Sequence, residues 1–348
     1  MKGTAMSDSI NNAKSVRAVD VSRREFLTTT TTGIVGGSLA APMLSSLAIA
    51  ADAKAAKKAK PETLVGQLHK TLTEKQKKIM AFPFDHPLRS EVNNNWHITK
   101  ALVARDFDKE QQALIRDIFM GLHSEEYAER VMAQVDHDNQ NANRRNGFDG
   151  VSIAMFGEPG TGKFEFVLAG RHVTRRCDGD SVDGAAFGGP IFYGHAAKEF
   201  NEKADHAGNI YWYQAKRANE LFQALDGKQR KLALRSDARP EKKTATVKLR
   251  GKDAEPHGVP VADFTADQQE LAKKVMADVL APFREKDVAE SMKMVDAQFD
   301  DLHFAYYQNM DIGEDKVLDV WQIEGPQMVW YFRGKPHVHT WVHIRKPA

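Results

Sequence analysis

Beyond residue 60 the chain carries two hydrophobic periodicities. Apolar residues fall at helical spacing in Leu114, Ile115, Ile118, Phe119 and Leu122, and again in Leu271, Val275, Met276, Val279 and Leu280. Such spacing predicts helices that bury one face. Four helix starts share one short pattern: Thr73-Glu-Lys-Gln76, Asp108-Lys-Glu-Gln111, Asp226-Gly-Lys-Gln229 and Thr265-Ala-Asp-Gln268. In each, an oxygen-bearing side chain can cap the helix and a glutamine three residues on can reach back, the capping-box arrangement. The starts are separated by 35, 118 and 39 residues. Intervals this unequal read as recurrent capping chemistry rather than a solenoid repeat.

Elsewhere the period is two. Val151 to Phe156, Phe164 to Leu168 and His172 to Arg176 alternate apolar and polar residues and predict strands. Val317 to Ile323, Met328 to Phe332 and Val338 to Ile344 are rich in β-branched and aromatic residues, with Arg333-Gly-Lys-Pro336 as a turn between the last two. The expectation is an α+β fold: a helical N-terminal half packed on a mostly antiparallel sheet, ending in a C-terminal β-hairpin, as one domain over 61–348.

The first fifty residues obey neither pattern. Ser22-Arg-Arg-Glu-Phe-Leu27 precedes an uncharged run from Thr28 to Ala50 that ends in Ala48-Ile-Ala50. Twin arginines, a weakly apolar stretch and a small-x-small end predict a twin-arginine signal over 1–50, with an Ala/Lys-rich linker over 51–60 behind it. The run holds five consecutive threonines, three glycines and a proline, too polar for a good spanning helix. The expected partner is the twin-arginine export machinery, with no stable membrane anchor and a periplasmic or extracellular destination.

Charge and cysteine narrow the picture. Of 49 Lys/Arg and 47 Asp/Glu, five and three fall in the first fifty residues, leaving 44 of each beyond. A neutral mature chain lacks the cationic surplus that nucleic-acid affinity draws on. Cys177 is the only cysteine, so no intramolecular disulfide forms. That fits a chain folded in a reducing compartment before export, as a chain loaded there with a cofactor would be.

Several motifs fail on inspection. Gly157-Glu-Pro-Gly-Thr-Gly-Lys163 matches a phosphate loop until Phe164 replaces the hydroxyl residue that holds magnesium. The segment Phe164-Glu-Phe-Val-Leu168 reads as a strand rather than the helix a phosphate loop must open, so ATP binding is not expected. Asp178-Gly-Asp-Ser-Val-Asp-Gly184 has the wrong ligand spacing for a calcium loop and reads as a polar turn. Asp136-His-Asp-Asn139 could contribute to a metal site, although at a helix end such a run is usually solvated. Cys177 reads as a small core residue.

His337-Val-His-Thr-Trp-Val-His343 is the most informative stretch. On a strand, His337, His339 and His343 share a face with Trp341. Two imidazoles so spaced can grip one divalent transition-metal ion, with a third ligand from a neighbouring strand. His172 is the first candidate for that third ligand and His195 the second. The competing reading is a half-buried face whose ring nitrogens bond backbone or carboxylates.

Asp108-Lys-Glu-Gln-Gln, Gly121-Leu-His-Ser-Glu-Glu-Tyr127, Phe156-Gly-Glu-Pro-Gly, Gly170-Arg-His-Val, Phe187-Gly-Gly-Pro190, Leu225-Asp-Gly-Lys-Gln-Arg230, Ile323-Glu-Gly-Pro326 and His337-Val-His-Thr340 occur in this order over roughly residues 95–345. In this the chain resembles the domain of unknown function 3500 family of exported bacterial proteins. The resemblance implies that the family's Gly-His-His-Leu and His-x-His-Thr hallmarks map near His172 and at His337 and His339. It also implies departures: Arg171 stands for the first His of the pair, His343 for an Arg, and Tyr331 for a Glu.

Two functional classes fit these residues. One is an exported metalloprotein with His172, His337 and His339 as ligands, a metal-dependent hydrolase or redox protein, in which Glu324 and Tyr331 are the nearest acid or base candidates in sequence. This reading fails if the imidazoles lie more than about 6 Å apart, given ligand bonds of roughly 2 Å. The other is a non-enzymatic binding protein whose aromatics (Tyr211, Trp212, Tyr213, Trp321, Trp330, Tyr331, Trp341) line a ligand or partner surface, against core packing as their plain alternative.

Overall fold

In the computed structural model, residues 59–140, 147–196, 206, 208–236, 239–252, 255–308, 317–334 and 336–348 are described. The expected signal and most of the linker lie outside the described residues. The first half of the described chain runs α1 (Pro61–Thr71), α2 (Glu74–Met80), β1 (Ala81–Phe82), α3 (Val103–Asp106), α4 (Lys109–Gly121), α5 (Ala128–Gln140), β2 (Ser152–Gly157), β3 (Phe164–Gly170), β4 (Val173–Cys177) and β5 (Ile191–His195). The second half runs α6 (Tyr213–Ala224), α7 (Gly227–Ala233), β6 (Leu234–Arg235), β7 (Val259–Pro260), α8 (Ala266–Leu280), α9 (Glu285–Asp296), β8 (His303–Tyr307), β9 (Val320–Gly325), β10 (Met328–Arg333) and β11 (Val338–Ile344).

All four sequence-marked starts form complete capping boxes, opening α2, α4, α7 and α8. Their glutamines do more than cap. Gln76 and Gln111 exchange amide hydrogen bonds of 2.7 and 3.3 Å, and Gln229 and Gln268 exchange bonds of 3.0 and 2.9 Å. The remaining donors are matched too. Gln76 Nε2 reaches Asp106 O as Gln229 Nε2 reaches Asp263 O, and Gln111 Nε2 reaches Thr71 O as Gln268 Nε2 reaches Ala224 O. The unequal intervals therefore conceal a twofold repeat: each half contributes one pair of starts, and each pair is wired alike.

The sheet repeats the same order. Its strands lie β1-β2-β3-β4-β5-β11-β10-β9-β8-β6, with β7 pairing β8 off this path. Taken inward from either edge, each half lays its strands down in chain order. The outer pairs β1–β2 and β6–β8 are parallel and the others antiparallel. The halves meet along β5–β11, where Val338 to Val342 pair with His195 to Ile191. The fold is thus α+β with a mostly antiparallel sheet and the expected closing hairpin β10–β11. To the helical front it adds a second helical set in α6 to α9.

Alternation along the strands sorts side chains to two faces. Ile153, Phe166, Tyr193, Val338 and Val342 join helix residues such as Ile118, Val131, Ala215 and Met276 in the main core. On the other face, Phe192, Val329, Tyr331 and Trp341 pack under Val92 and Val247. The aromatics expected on a ligand or partner surface pack inside instead. Tyr211, Trp212, Trp321, Trp330, Tyr331 and Trp341 are buried and Tyr213 is half-buried, the plain alternative of core packing.

Replacing Gln111 by alanine strips Gln76 and Thr71 O of a buried partner and opens the α4 capping box. Unfolding in urea should show a loss of about 2 kcal/mol, against a negligible change for Lys109→Ala on the exposed side of the same turn. Equal effects of the two substitutions would show that the glutamine pair contributes nothing.

Candidate metal centre

The β3–β4 turn is built to turn one ring inward. His172 takes φ +56, a left-handed conformation that costs a non-glycine residue roughly 1–3 kcal/mol. Its backbone is held on both sides, with N–H donating to Asn94 O at 2.9 Å and C=O accepting from Gly194 N at 3.2 Å. On the neighbouring strand Gly194 faces His339. A Cβ at Gly194 would stand 2.2 Å from Val338 O and 3.3 Å from His339 Cδ2, so only glycine lets β5 lie this close to the β11 backbone beside the ring. His337 reaches the same point from the turn preceding β11.

The three rings meet through their Nε2 atoms. His337 Nε2 lies 3.1 Å from His172 Nε2 and 2.9 Å from His339 Nε2, well inside the 6 Å limit. Two nitrogens bonded to one ion at about 2.05 Å stand about 2.9 Å apart at a right angle and about 3.3 Å apart at the tetrahedral angle. The observed edges fall in that interval.

Carboxylates fix the far side of two rings. His172 Nδ1 donates to Asp138 Oδ2 at 2.9 Å, and His339 Nδ1 donates to Glu241 Oε2 at 2.7 Å. Arg333 lies against His339 Nδ1 and bonds Glu241 through Nε at 2.7 Å, which locks the carboxylate. With both Nδ1 atoms protonated, the Nε2 atoms of His172 and His339 carry lone pairs. Two acceptors then face a third nitrogen that brings at most one proton. A cation satisfies all three.

Electrostatics keep the rings neutral. Burial holds His337 down to about 2 and His339 to about 3, the latter despite Glu241. Burial also lowers His172 against the pull of Asp138. Burial alone would raise the carboxyls; the hydrogen bond from His172 and the nearby His195 ring overcome it to keep Asp138 ionised, and hydrogen bonds from His339 and Arg333 bring Glu241 to about 2. Neutral imidazoles backed by carboxylates are the protonation states a divalent ion requires. His172 and His339 are buried and His337 half-buried, so His337 is the most exposed of the three rings.

The other sequence candidates lie elsewhere. His195 sits across Asp138 from the centre, its Nδ1 3.2 Å from Asp138 Oδ1. His343 shares the strand face but bonds Val247 O at 3.1 Å. Glu324 is held by Arg239 and Arg250 beside a separate cavity of about 390 Å³ at the β9–β10 turn, and the Tyr331 hydroxyl donates to Arg239 O. Neither touches the three rings, so the acid or base expected nearby is not one of them. Gly157–Lys163 is a turn that leads into strand β3, and Cys177 is buried in β4 with its thiol pushed up by burial. The Asp136–Asn139 run is not solvated, since Asp138 and Asn139 are buried.

A family model described as "Protein of unknown function (DUF3500)" matches residues 54–347. The chain belongs to this family. No curated protein and no solved structure matches it. Family membership leaves the chemistry to the site itself, and the His/Asp groups of this DUF3500 chain could hold a metal ion.

Histidines depressed in the fold give a signed pH dependence. His343, outside the three-ring centre, is held at about 4 by burial against 6.5 in the open chain. Below pH 6.5 the unfolded chain takes up a proton that the fold refuses, so stability is full above 6.5 and drains as pH falls toward 4. The thermal midpoint should drop between pH 7.5 and 5, and His343→Gln should drop less. An identical drop in the variant would remove His343 as a contributor.

Proposed function

We propose that this DUF3500 protein is an exported metalloprotein whose divalent ion is held by His172, His337 and His339, with an open position facing the His337 side, and that it works as a metal-dependent hydrolase. One observation carries the reading: three Nε2 atoms meet at 2.9 and 3.1 Å while carboxylates hold the Nδ1 atoms of two of the rings. Three neutral nitrogen donors without thiolate or thioether suit zinc, copper, iron or nickel. Three protein ligands leave the fourth position that catalytic sites keep. An ion so placed lowers the pKa of a bound water and polarises a substrate oxygen.

The residues of the chain supply the rest. Asp138 and Glu241 orient two rings and raise their basicity, Arg333 keeps Glu241 ionised, and Gly194 lets β5 lie close to the β11 backbone beside His339. Export rests on Arg23-Arg24 and the run behind it. It agrees with the single cysteine and with the finding that no helix among the described residues is long and apolar enough to cross a membrane.

Elemental analysis of the protein made through its own signal and purified without chelators should find stoichiometric metal that disappears in His337→Ala/His339→Ala. A folded parent that neither carries metal nor takes it up overturns the proposal. Glu241→Gln should weaken metal affinity by about 10–100-fold while the fold persists, as loss of an outer-sphere partner does. Separately, Arg23→Lys/Arg24→Lys should leave the precursor uncleaved in the cytoplasmic fraction. Unchanged processing would rule out the twin-arginine route.

A further inference from the structure

We infer that the protein binds a second divalent ion, at His137, Asp138 and His195, on the opposite side of Asp138 from the three-imidazole centre. His137 and Asp138 lie near the C-terminal end of α5 and His195 is the last residue of β5, so a helix end and a strand end present ligands to one point. One ligand atom from each lies within 4.8 Å of the others. The His137 and His195 rings stand 5.5 Å apart, and His137 is half-buried where the other two are buried.

The two oxygens of Asp138 are used differently. Oδ2 accepts from Gln134 Nε2 at 2.7 Å, His172 Nδ1 at 2.9 Å and Ala196 N at 3.0 Å, which exhausts it. Oδ1 faces His195 Nδ1 at 3.2 Å. That separation is the edge that two ligands at about 2.1 Å subtend on one ion at roughly a right angle. Asp138 is buried, and among the described residues none of its hydrogen-bond partners is a lysine or arginine. Other buried carboxylates differ: Glu165 has Arg176 at 2.5 Å and Arg89 at 2.9 Å, and Glu324 has two arginines. A buried carboxylate with no such partner among the described residues suits a metal counter-charge.

Register separates the two sites. His195 pairs with Val338 and His339 with Gly194, and cross-strand partners share a face, so His195 and His339 lie on opposite faces of the sheet. At the sheet's end Asp138 accepts from His172 on one side through Oδ2 and faces His195 on the other through Oδ1. Two imidazoles and one carboxylate form a harder ligand set than three imidazoles and suit iron, cobalt or zinc.

The test counts ions. Full-length exported protein, stripped with chelator and dialysed against Zn²⁺ and in parallel Co²⁺, should carry two equivalents per chain by elemental analysis after gel filtration. His137→Ala/His195→Gln should carry one, and His337→Ala/His339→Ala the other one. Circular dichroism checks that each variant folds; if the first pair does not, His137→Ala alone, at a half-buried helix position, should lose the same equivalent. A parent with a single equivalent that survives His137→Ala/His195→Gln overturns this inference and leaves the three-imidazole centre standing. A single equivalent lost with His137 and His195 but kept without His337 and His339 supports the second site and sinks the first.

Discussion

The antiparallel pairing of β5 with β11 is the constraint on which the rest of the structure depends. It is the seam between two halves that repeat one helix-and-strand order, and it joins residues more than 140 positions apart, such as Ile191 and Val342. Without it each half would end in an exposed central strand, an edge open to mispairing. The seam also sets the chemistry. Gly194 must lie opposite His339, and His195 opposite Val338, for one ring to face the β3–β4 turn and the other to face the helices. A slip of one residue would exchange the faces and dissolve both histidine groups.

Repetition explains why the site is lopsided. Matching the antiparallel registers of the halves places the β3–β4 turn Gly170-Arg171-His172-Val173 over the β9–β10 turn Gly325-Pro326-Gln327-Met328. Glycine ends the strand in both, but Gln327 stands where His172 does, and the nearest buried acid, Glu324, is occupied by arginines. The same architecture therefore offers two equivalent turns, and only the first is equipped with a metal ligand.

Much of this was legible in the sequence because its signals are local. Capping boxes and strand alternation depend on neighbours two to four positions away, and they placed α2, α4, α7, α8 and most strands correctly. The His-x-His spacing did the same for His337 and His339. The features that escaped were written in long-range contacts. Glu241 lies in Arg239-Pro-Glu-Lys-Lys243, a run with no pattern that distinguishes it from a solvated loop, and it becomes a partner of His339 only through tertiary packing. Asp138 was visible in a charged run but carried no sign of burial. The repeat itself was within reach, since Asp106-Phe-Asp-Lys-Glu-Gln-Gln112 and Asp263-Phe-Thr-Ala-Asp-Gln-Gln269 share their frame, but the unequal intervals hid it.

The decisive energetic point is how a purely structural histidine cluster would be arranged. Rings packed for shape alone would direct their polar atoms to separate partners, as His343 does with Val247 O and His123 with Phe119 O. Here the opposite holds: Nδ1 partners fix the protonation of His172 and His339 so that two lone pairs are aimed at a third ring, and one shared proton can satisfy only one of the two contacts well. Leaving a buried acceptor unsatisfied costs about 1–3 kcal/mol, and the left-handed backbone of His172 adds a comparable cost. A fold that maintains both, with charged carboxylates behind the rings, spends stability on an arrangement whose natural complement is a cation.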